Sequence, residues 1–468
     1  MIDISETKAL KIEHSKKNMA SYGCAKALNE FIDMAFTAFG FYYYESEIGL
    51  NVLLVGLGYI IFAIYNAVND PLVGYLTDRP FKFTKKWGRR FPWIMMGGII
   101  WVISYVLIFT PPSVDPKSGA WILFAWLLFA TCLFDTFASI FFVSFSSLYP
   151  DKFRSMEERR TANAVATPVG LLGIVFGGII PPLFITFGVP YTYIVQAGIM
   201  VLIGIVMLAL SIPGCREDQE TIDRYLTSYD VETHRESFFG SLKTALKQRN
   251  FVIFIIAYTL YRSLVICVQS SIPYVIRFVF KMEASAMTLL MAGFLIGAIL
   301  SIPIWMKLAN KTNDNRKIII IAGFFLAFIS IPLSLITNYT LIIIILIIWG
   351  IALGGFWVLL APVLADVIDE SVCITEKREE GIYMGFQQFF GRLGILAQAI
   401  TFVIIHTLTG FQEGASTQSN LAVLGIQLHF GIIPFIFMFL AMLIFWKGYD
   451  ITPEKAKANQ EKVEQLCL

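Results

Sequence analysis

The sequence predicts an all-α membrane protein of twelve transmembrane helices, arranged as two six-helix halves, and three observations carry that expectation. Hydrophobic residues make up 57% of the 468 positions and charged residues only 15%, against about 25% charged in a soluble domain. Apolar runs near the roughly 20 residues needed to cross about 30 Å of hydrocarbon recur from end to end. The longest polar stretch, residues 213–250, falls between the sixth run and the seventh.

The runs lie at about 20–44, 50–77, 91–110, 120–149, 164–186 and 190–212, then at about 251–280, 285–306, 318–336, 339–370, 381–409 and 421–446. The chain therefore divides into a first half (1–212), a linker (213–250), a second half (251–447) and a tail (448–468). Threading the runs in turn places 30 of the 36 Lys and Arg on the side that holds the linker, and leaves Lys117, Arg277 and Lys281 opposite. By the positive-inside rule both termini and the linker face the cytoplasm. The polar opening, Met1-Ile-Asp-Ile-Ser-Glu-Thr-Lys8, lacks the charged-then-apolar pattern of a signal peptide, so the first run is expected to remain as a span of a multi-pass cell-membrane protein. Six scattered cysteines show no Cys-x-x-Cys spacing, so neither a disulfide framework nor a zinc site is expected.

The halves echo each other in sequence. Leu148-Tyr-Pro-Asp151 followed by Glu157-Glu158-Arg159-Arg160 closes the fourth run and opens the fifth, as Leu364-Ala-Asp366 followed by Glu376-Lys377-Arg378-Glu379 closes the tenth and opens the eleventh. Paired six-span units of this kind indicate a transporter that rocks about a central cavity. Gly170, Gly173, Gly177 and Gly178 in the fifth run, with Gly350, Gly354 and Gly355 in the tenth, fit close helix packing or a moving element.

Ionisable groups inside a bilayer mark functional sites by default. The first run has Lys26, Glu30 and Asp33, and its two acids must face a wet cavity or pair with the lysine. In the second run Asn66, Asn69 and Asp70 fall at i, i+3 and i+4, so one helix face presents their oxygens together. Such a face can ligate a hard cation such as sodium, or Asp70 can load and release a proton. The turn after it, Gly74-x-x-x-Asp78-Arg79 and then Gly88-Arg89-Arg90, holds charges suited to ion pairs that break as the halves move. Asp135 is central in the fourth run, Arg262 near the middle of the seventh, and Gln388 lies one turn before Arg392 in the eleventh. An Arg beside a Gln can fork onto a carboxylate or a pair of hydroxyls. Asp366 and Asp369 close the tenth run and read as gate residues, with Arg378 in the turn beyond. His406 and His429 stand alone in late runs with no acidic partner in sequence, so no metal site is expected. No nucleophile elbow, phosphate loop or nucleotide-binding motif occurs, which excludes an ATP-driven pump and leaves no arranged set for an enzyme.

These motifs resemble the glycoside-pentoside-hexuronide:cation symporter family of the major facilitator superfamily. The likeness rests on Tyr42-Tyr-Tyr44 with Gly49-Leu50, Asn69-Asp70-Pro71-x-x-Gly74, Trp87-Gly88-Arg89-Arg90-x-Pro92-Trp93, Phe356-Trp357 with Ala365-Asp366 and Asp369, and Arg378-Glu-x-Gly381. The resemblance implies the major facilitator fold and a coupling cation, H+ or Na+, held by Asp70 and Asn69 with Ser139 supplying a hydroxyl; no other cofactor is implied. Asn66 stands where the family tends to have a second acid, so Asp70 is expected to work nearly alone and a proton is favoured over sodium. Glu30 takes the place of the family's sugar-binding acid, Phe142 that of its partner acid, Arg392 that of a lysine, and Trp357 that of an aromatic of the cavity wall. Glu30, Trp357 and Arg392, with Asp135, Arg262 and Gln388, make the expected substrate site. The implied activity is cation-coupled symport of a sugar or sugar-derived solute by alternating access, in a monomer that binds no nucleic acid. The alternatives are symport of a lysolipid, amino acid or organic anion, and a passive channel or scramblase.

Overall fold

A computed structural model describes residues 14–77, 81, 83–219, 221–223, 226, 238–376 and 380–465. The elements among the described residues are helical, and twelve runs of helix match the expected spans. In order they are Lys16–Tyr42, Val52–Thr77, Phe91–Ile108, Ala120–Lys152, Met156–Ile179 and Pro190–Cys215, then Arg249–Tyr274, Met287–Thr312, Asn315–Leu335, Tyr339–Thr375, Glu380–Thr409 and a twelfth built from Asn420–Gln427, Leu428–Ile432 and Ile433–Gly448. Eleven are long and apolar enough to cross a membrane; the first carries Lys26, Glu30 and Asp33.

The fifth span begins eight residues earlier than its apolar run, at the Ser155 cap whose hydroxyl accepts from the Glu158 amide. It stops at Pro181-Pro182, which form a single turn of 3-10 helix, because proline supplies no amide to continue the ladder. After the twelfth span the chain folds into Pro453–Gln465, which is tied to the tenth span by Lys462 Nζ donating to the Cys373 carbonyl at 2.9 Å.

The packing repeats between the halves. Span 1 packs on spans 5 and 6, span 3 on spans 4 and 6, and span 2 on span 4; six positions on, span 7 packs on 11 and 12, span 9 on 10 and 12, and span 8 on 10. Across the halves span 1 meets span 7, while span 2 meets 11 and span 5 meets 8, two contacts that a two-fold axis interchanges. Close approach explains the glycines: a Cβ on Gly173 would lie 2.1 Å from the Ala27 carbonyl of span 1, and one on Gly350 would lie 2.0 Å from the Phe294 carbonyl of span 8. Both contacts lie within one half, so these glycines serve packing.

The halves are bonded at the face opposite the linker, here the distal face. Arg277 at the end of span 7 pairs with Glu47 at 2.8 Å, the Gly414 amide donates to the Glu45 carbonyl, and the Val52 amide donates to Glu413. At the linker face, bonds join elements of the same half: Lys152 donates to the Gly214 carbonyl at 2.7 Å, Glu217 accepts from the Arg90 and Phe91 amides, and Asn250 donates to Glu370 and Asp450. Asp33, deep in the first span, and Gln388 in the eleventh are exposed.

Candidate functional site

The site grows from the polar face of span 2. Asn66, Asn69 and Asp70 share one side of that helix, as their spacing predicts, and the side is turned toward span 4. Asn66 donates to Asp135 Oδ1 in a very short hydrogen bond. Asn69 Nδ2 lies 3.3 Å from Asp135 Oδ2 and 3.1 Å from Ser139 Oγ, donating to both. Span 4 can supply both groups because Asp135 and Ser139 are four residues apart, one helical turn.

From the other half, Arg392 reaches across. Its Nη2 is 3.0 Å from Asp70 Oδ2 and its Nη1 is 3.8 Å from Asp135 Oδ1. Asp70 and Arg392 remain 23% and 21% exposed, and Asp135 7%. Three buried polar atoms here have no hydrogen-bond partner: Asn66 Oδ1, Asp70 Oδ1 and Arg392 Nη1. A buried unpaired acceptor costs about 1–3 kcal/mol. Two acceptors without donors, beside a second carboxylate, form a site short of positive charge.

The arrangement corrects one expectation. Asp70 is not the lone carboxylate of the cluster: Asp135 of span 4 stands against Asn66, where span 2 itself has no second acid. Asp135 and Arg392, expected on the substrate, are thereby drawn into the cluster with Asp70, Asn66, Asn69 and Ser139. Glu30 stays apart from it. Lys26 turns toward span 5, where it donates to Thr167 Oγ1 at 3.3 Å. Arg262 of span 7 lies within electrostatic reach of Glu30 and Asp33, and Trp357 lies near Tyr261, one residue before Arg262. Glu30, Asp33, Arg262 and Trp357 form a second group, with Asp33 also within electrostatic reach of Arg392, and Gln388 lies one turn before Arg392 on span 11; all five are partly or fully exposed.

The loop and gate residues are distributed differently. A Cβ on Gly74 would lie 3.9 Å from Val143 of span 4, an ordinary contact. Gly88 adopts φ 90°, and a Cβ there would meet Glu217 Oε2 at 2.3 Å. Arg90 approaches Asp151 at 4.0 Å, while Arg89 is half-buried. Asp366 accepts from Asn315 at 3.2 Å, within the second half, and Asp369 follows it on span 10. Asp78, Arg79 and Arg378 lie outside the described residues.

Sequence reasoning missed the distal contacts. Glu45, Glu47, Tyr274 and Arg277 join the halves there, and His406 and His429 are not isolated: their Nε2 atoms lie 3.2 Å apart, and His406 Nδ1 is 2.7 Å from Glu45 Oε1. The available signal was three charged residues, Glu45, Glu47 and Arg277, each at the distal end of an apolar run.

Two parallel six-span halves, closed at one face and meeting over a charged mid-bundle cluster, define a membrane transporter of the major facilitator type. The family model described as MFS/sugar transport protein matches residues 21–453, and the chain belongs to that family. It is 24% identical over 462 residues to the sodium-dependent lysophosphatidylcholine symporter 1-A of Danio rerio, covering 89% of this chain and 82% of the relative. It is 23% identical to the isoprimeverose transporter of Lactiplantibacillus pentosus, over 91% and 87% of the two chains, and 22% identical to the inner membrane symporter YicJ of Escherichia coli, over 96% and 95%. The crystal structure of tetrameric PepTSo2 superposes with a TM-score of 0.55 at 13% identity, over 97% of this chain and all of that one, a likeness of fold.

Proposed function

We propose that the protein is a secondary symporter that couples one monovalent cation to a polar organic solute by alternating access, with the linker face cytoplasmic. The observation that carries it is the Asp70–Arg392 bridge over a cluster of unsatisfied oxygens. Without ion, Arg392 from span 11 supplies the positive charge that Asp70 and Asp135 require, and so holds spans 2 and 11 together. A cation on Asp70, Asp135, Asn66 and Ser139 replaces that charge and releases the guanidinium toward the cavity, where it joins Arg262 in binding solute oxygens. Binding of ion and solute is then mutually favourable, as linkage demands.

Sodium is the favoured ion. The reason to prefer a proton was a solitary carboxylate, and Asp135 removes it. Asn66 Oδ1 is a neutral oxygen that can ligate a metal ion but gains nothing from acid–base exchange. The favoured solute is a sugar or sugar derivative, because Glu30, Asp33, Arg262 and Gln388 offer donors and acceptors beside the indole of Trp357. A lysolipid is the second reading, supported by the relatives named for lysophosphatidylcholine. Uptake by purified protein in sealed liposomes, with sodium and proton gradients imposed separately, tests both. Glycoside or pentoside accumulation driven by sodium supports the favoured pair, lysophosphatidylcholine uptake supports the second solute, proton-driven uptake replaces the ion, and flux without saturation or gradient dependence overturns symport.

A further inference from the structure

At the closed distal face lies a buried polar chain separate from the cation cluster. Glu45 sits on the turn Tyr43–Glu47 after span 1, Ser271 and Tyr274 on span 7, His406 on span 11, and His429 in the Leu428–Ile432 turn of span 12. All five are essentially without solvent exposure. Tyr274 donates its hydroxyl proton to Glu45 Oε2. Glu45 Oε1 lies 2.7 Å from His406 Nδ1, His406 Nε2 lies 3.2 Å from His429 Nε2, and His429 Nδ1 lies 2.6 Å from Ser271 Oγ.

Counting hydrogens along this chain fixes its protonation. Ser271 Oγ is 2.5 Å from the Cys267 carbonyl oxygen and 3.2 Å from that of His429; either carbonyl can only accept, and the shorter separation assigns the single hydroxyl proton to Cys267. His429 Nδ1 must then carry the hydrogen it shares with Ser271. The other nitrogen of a neutral His429 is bare, so His406 must donate from Nε2. His406 Nδ1 then faces Glu45 Oε1, and the contact needs one more proton: either Glu45 is a carboxylic acid donating to Nδ1, or His406 is an imidazolium beside a carboxylate. Both descriptions hold the same number of protons.

We propose that Glu45 and His406 form a proton-binding site in the distal gate, and that closing this gate takes up one proton from the distal side. Glu45 belongs to the first half and His406 to the second, so opening the gate separates them and exposes both to water. Once separated, each group is solvated by water and no longer requires the shared proton. The proton comes from solvent at the distal face and returns there on opening. A hollow of about 830 Å³ opens on that face, lined by Arg277, Phe278, Gln418 and Gln427 among others, two residues from His429. Phe278 in its wall packs edge-to-face on Phe411, which stacks on the His406 imidazole. The other titratable or charged groups around the pair are Tyr274, His429 and Cys267, the Arg277–Glu47 pair with Tyr42, and Glu413 beside Gly414. Glu47 is already matched by Arg277, Tyr42, Tyr193 and the Gly188 amide, which leaves the Glu45–His406 contact as the one that needs a proton from outside.

The gating consequence rests on the alternating-access reading; the placement of the proton does not. Nitrogen NMR of 15N-histidine-labelled full-length protein in nanodiscs at pH 8, with His429 assigned by loss of its signal in His429→Asn, tests placement. The expected result is a proton on His429 Nδ1 and a bare Nε2. A proton on Nε2 instead means that Ser271 donates to His429 and Glu45 is a plain anion, which overturns the site. Spin-label distances between Ser118→Cys and Thr337→Cys, in a background freed of native cysteines, test gating. The ratio of closed to open distal face falls as the distal solution is made more alkaline, with a limiting slope of about tenfold per pH unit for one proton, and becomes flat in Glu45→Gln, whose amide donates to His406 without a proton. A flat wild-type ratio, or a slope kept in Glu45→Gln, removes the linkage. A single distance at every pH and ion condition counts against alternating access, and the histidine tautomer then decides the site by itself.

Discussion

Two ion pairs of the same chemical kind join the halves of this protein, and they are built in opposite ways. Glu47–Arg277 at the distal face is 2.8 Å long with both partners nearly closed to solvent, and each group has further bonds: the carboxylate accepts from Tyr42, Tyr193 and the Gly188 amide, and the guanidinium donates to Tyr42 and the Ser46 carbonyl. Asp70–Arg392 in the middle is 3.0 Å long, about a fifth exposed, and leaves an oxygen and a nitrogen without hydrogen-bond partners. A saturated pair is hard to replace, because any substitute must satisfy five or six bonds at once. An unsaturated, wet pair invites a substitute. The first is suited to latching a face shut, the second to exchanging one cation for another.

Breaking the wet pair has the largest expected effect. Asp70→Asn abolishes uphill accumulation in liposomes while leaving downhill exchange of solute measurable; continued concentration against a gradient would erase the distinction between the pairs. Breaking the dry pair comes second. Arg277→Ala leaves Glu47 buried and uncompensated, a loss of about 3–5 kcal/mol, read as a lower melting temperature and as new access of an impermeant thiol reagent to a cysteine placed at Ser46. Arg392→Lys is milder: the charge stays and the fork is lost, so half-saturation by the cation should shift by roughly tenfold, about 1.4 kcal/mol, with the maximal rate nearly kept.

A third group of charges supplies the lower bound. Lys455 at the tail helix pairs with Glu370 at 2.6 Å and Asp450 at 2.7 Å, and Lys455 and Asp450 are 39% and 50% exposed. The Lys455 ammonium holds the Asp450 carboxyl below the usual carboxylate range, with Asn250 assisting. The folded form then prefers the ionised acid, so this contribution is present above about pH 4, the unfolded value, and is lost as pH falls through the lower folded value. Solvent screening keeps it within about 1 kcal/mol. Melting scans of Lys455→Ala at low and high salt should differ little from wild type.

Local spacing made part of this readable in the sequence. Asn66, Asn69 and Asp70 share a face because a helix has a fixed period, and the twelve spans follow from length and hydropathy. The partners of that face were not readable. Asp135 was visible as an acid inside a span, but its meeting with Asn66 depends on the register of span 4 against span 2, which side-chain packing sets and no local pattern records. The distal gate was hidden further, since Glu45 and His406 are 361 residues apart. Three of the four elements that carry the gate also include an i→i+5 turn, at Tyr43–Glu47, Val275–Val279 and Leu428–Ile432. Such turns shift the facing of every later side chain, and the first two sit at equivalent ends of spans 1 and 7.

Direct binding of radiolabelled sodium to the purified protein tests the claim that the central pair exchanges one cation for another. One saturable site per chain is expected, absent in Asp70→Asn, weakened in Asp135→Asn and retained in Arg277→Ala provided that variant folds. No saturable sodium binding, or binding that survives Asp70→Asn unchanged, would contradict it.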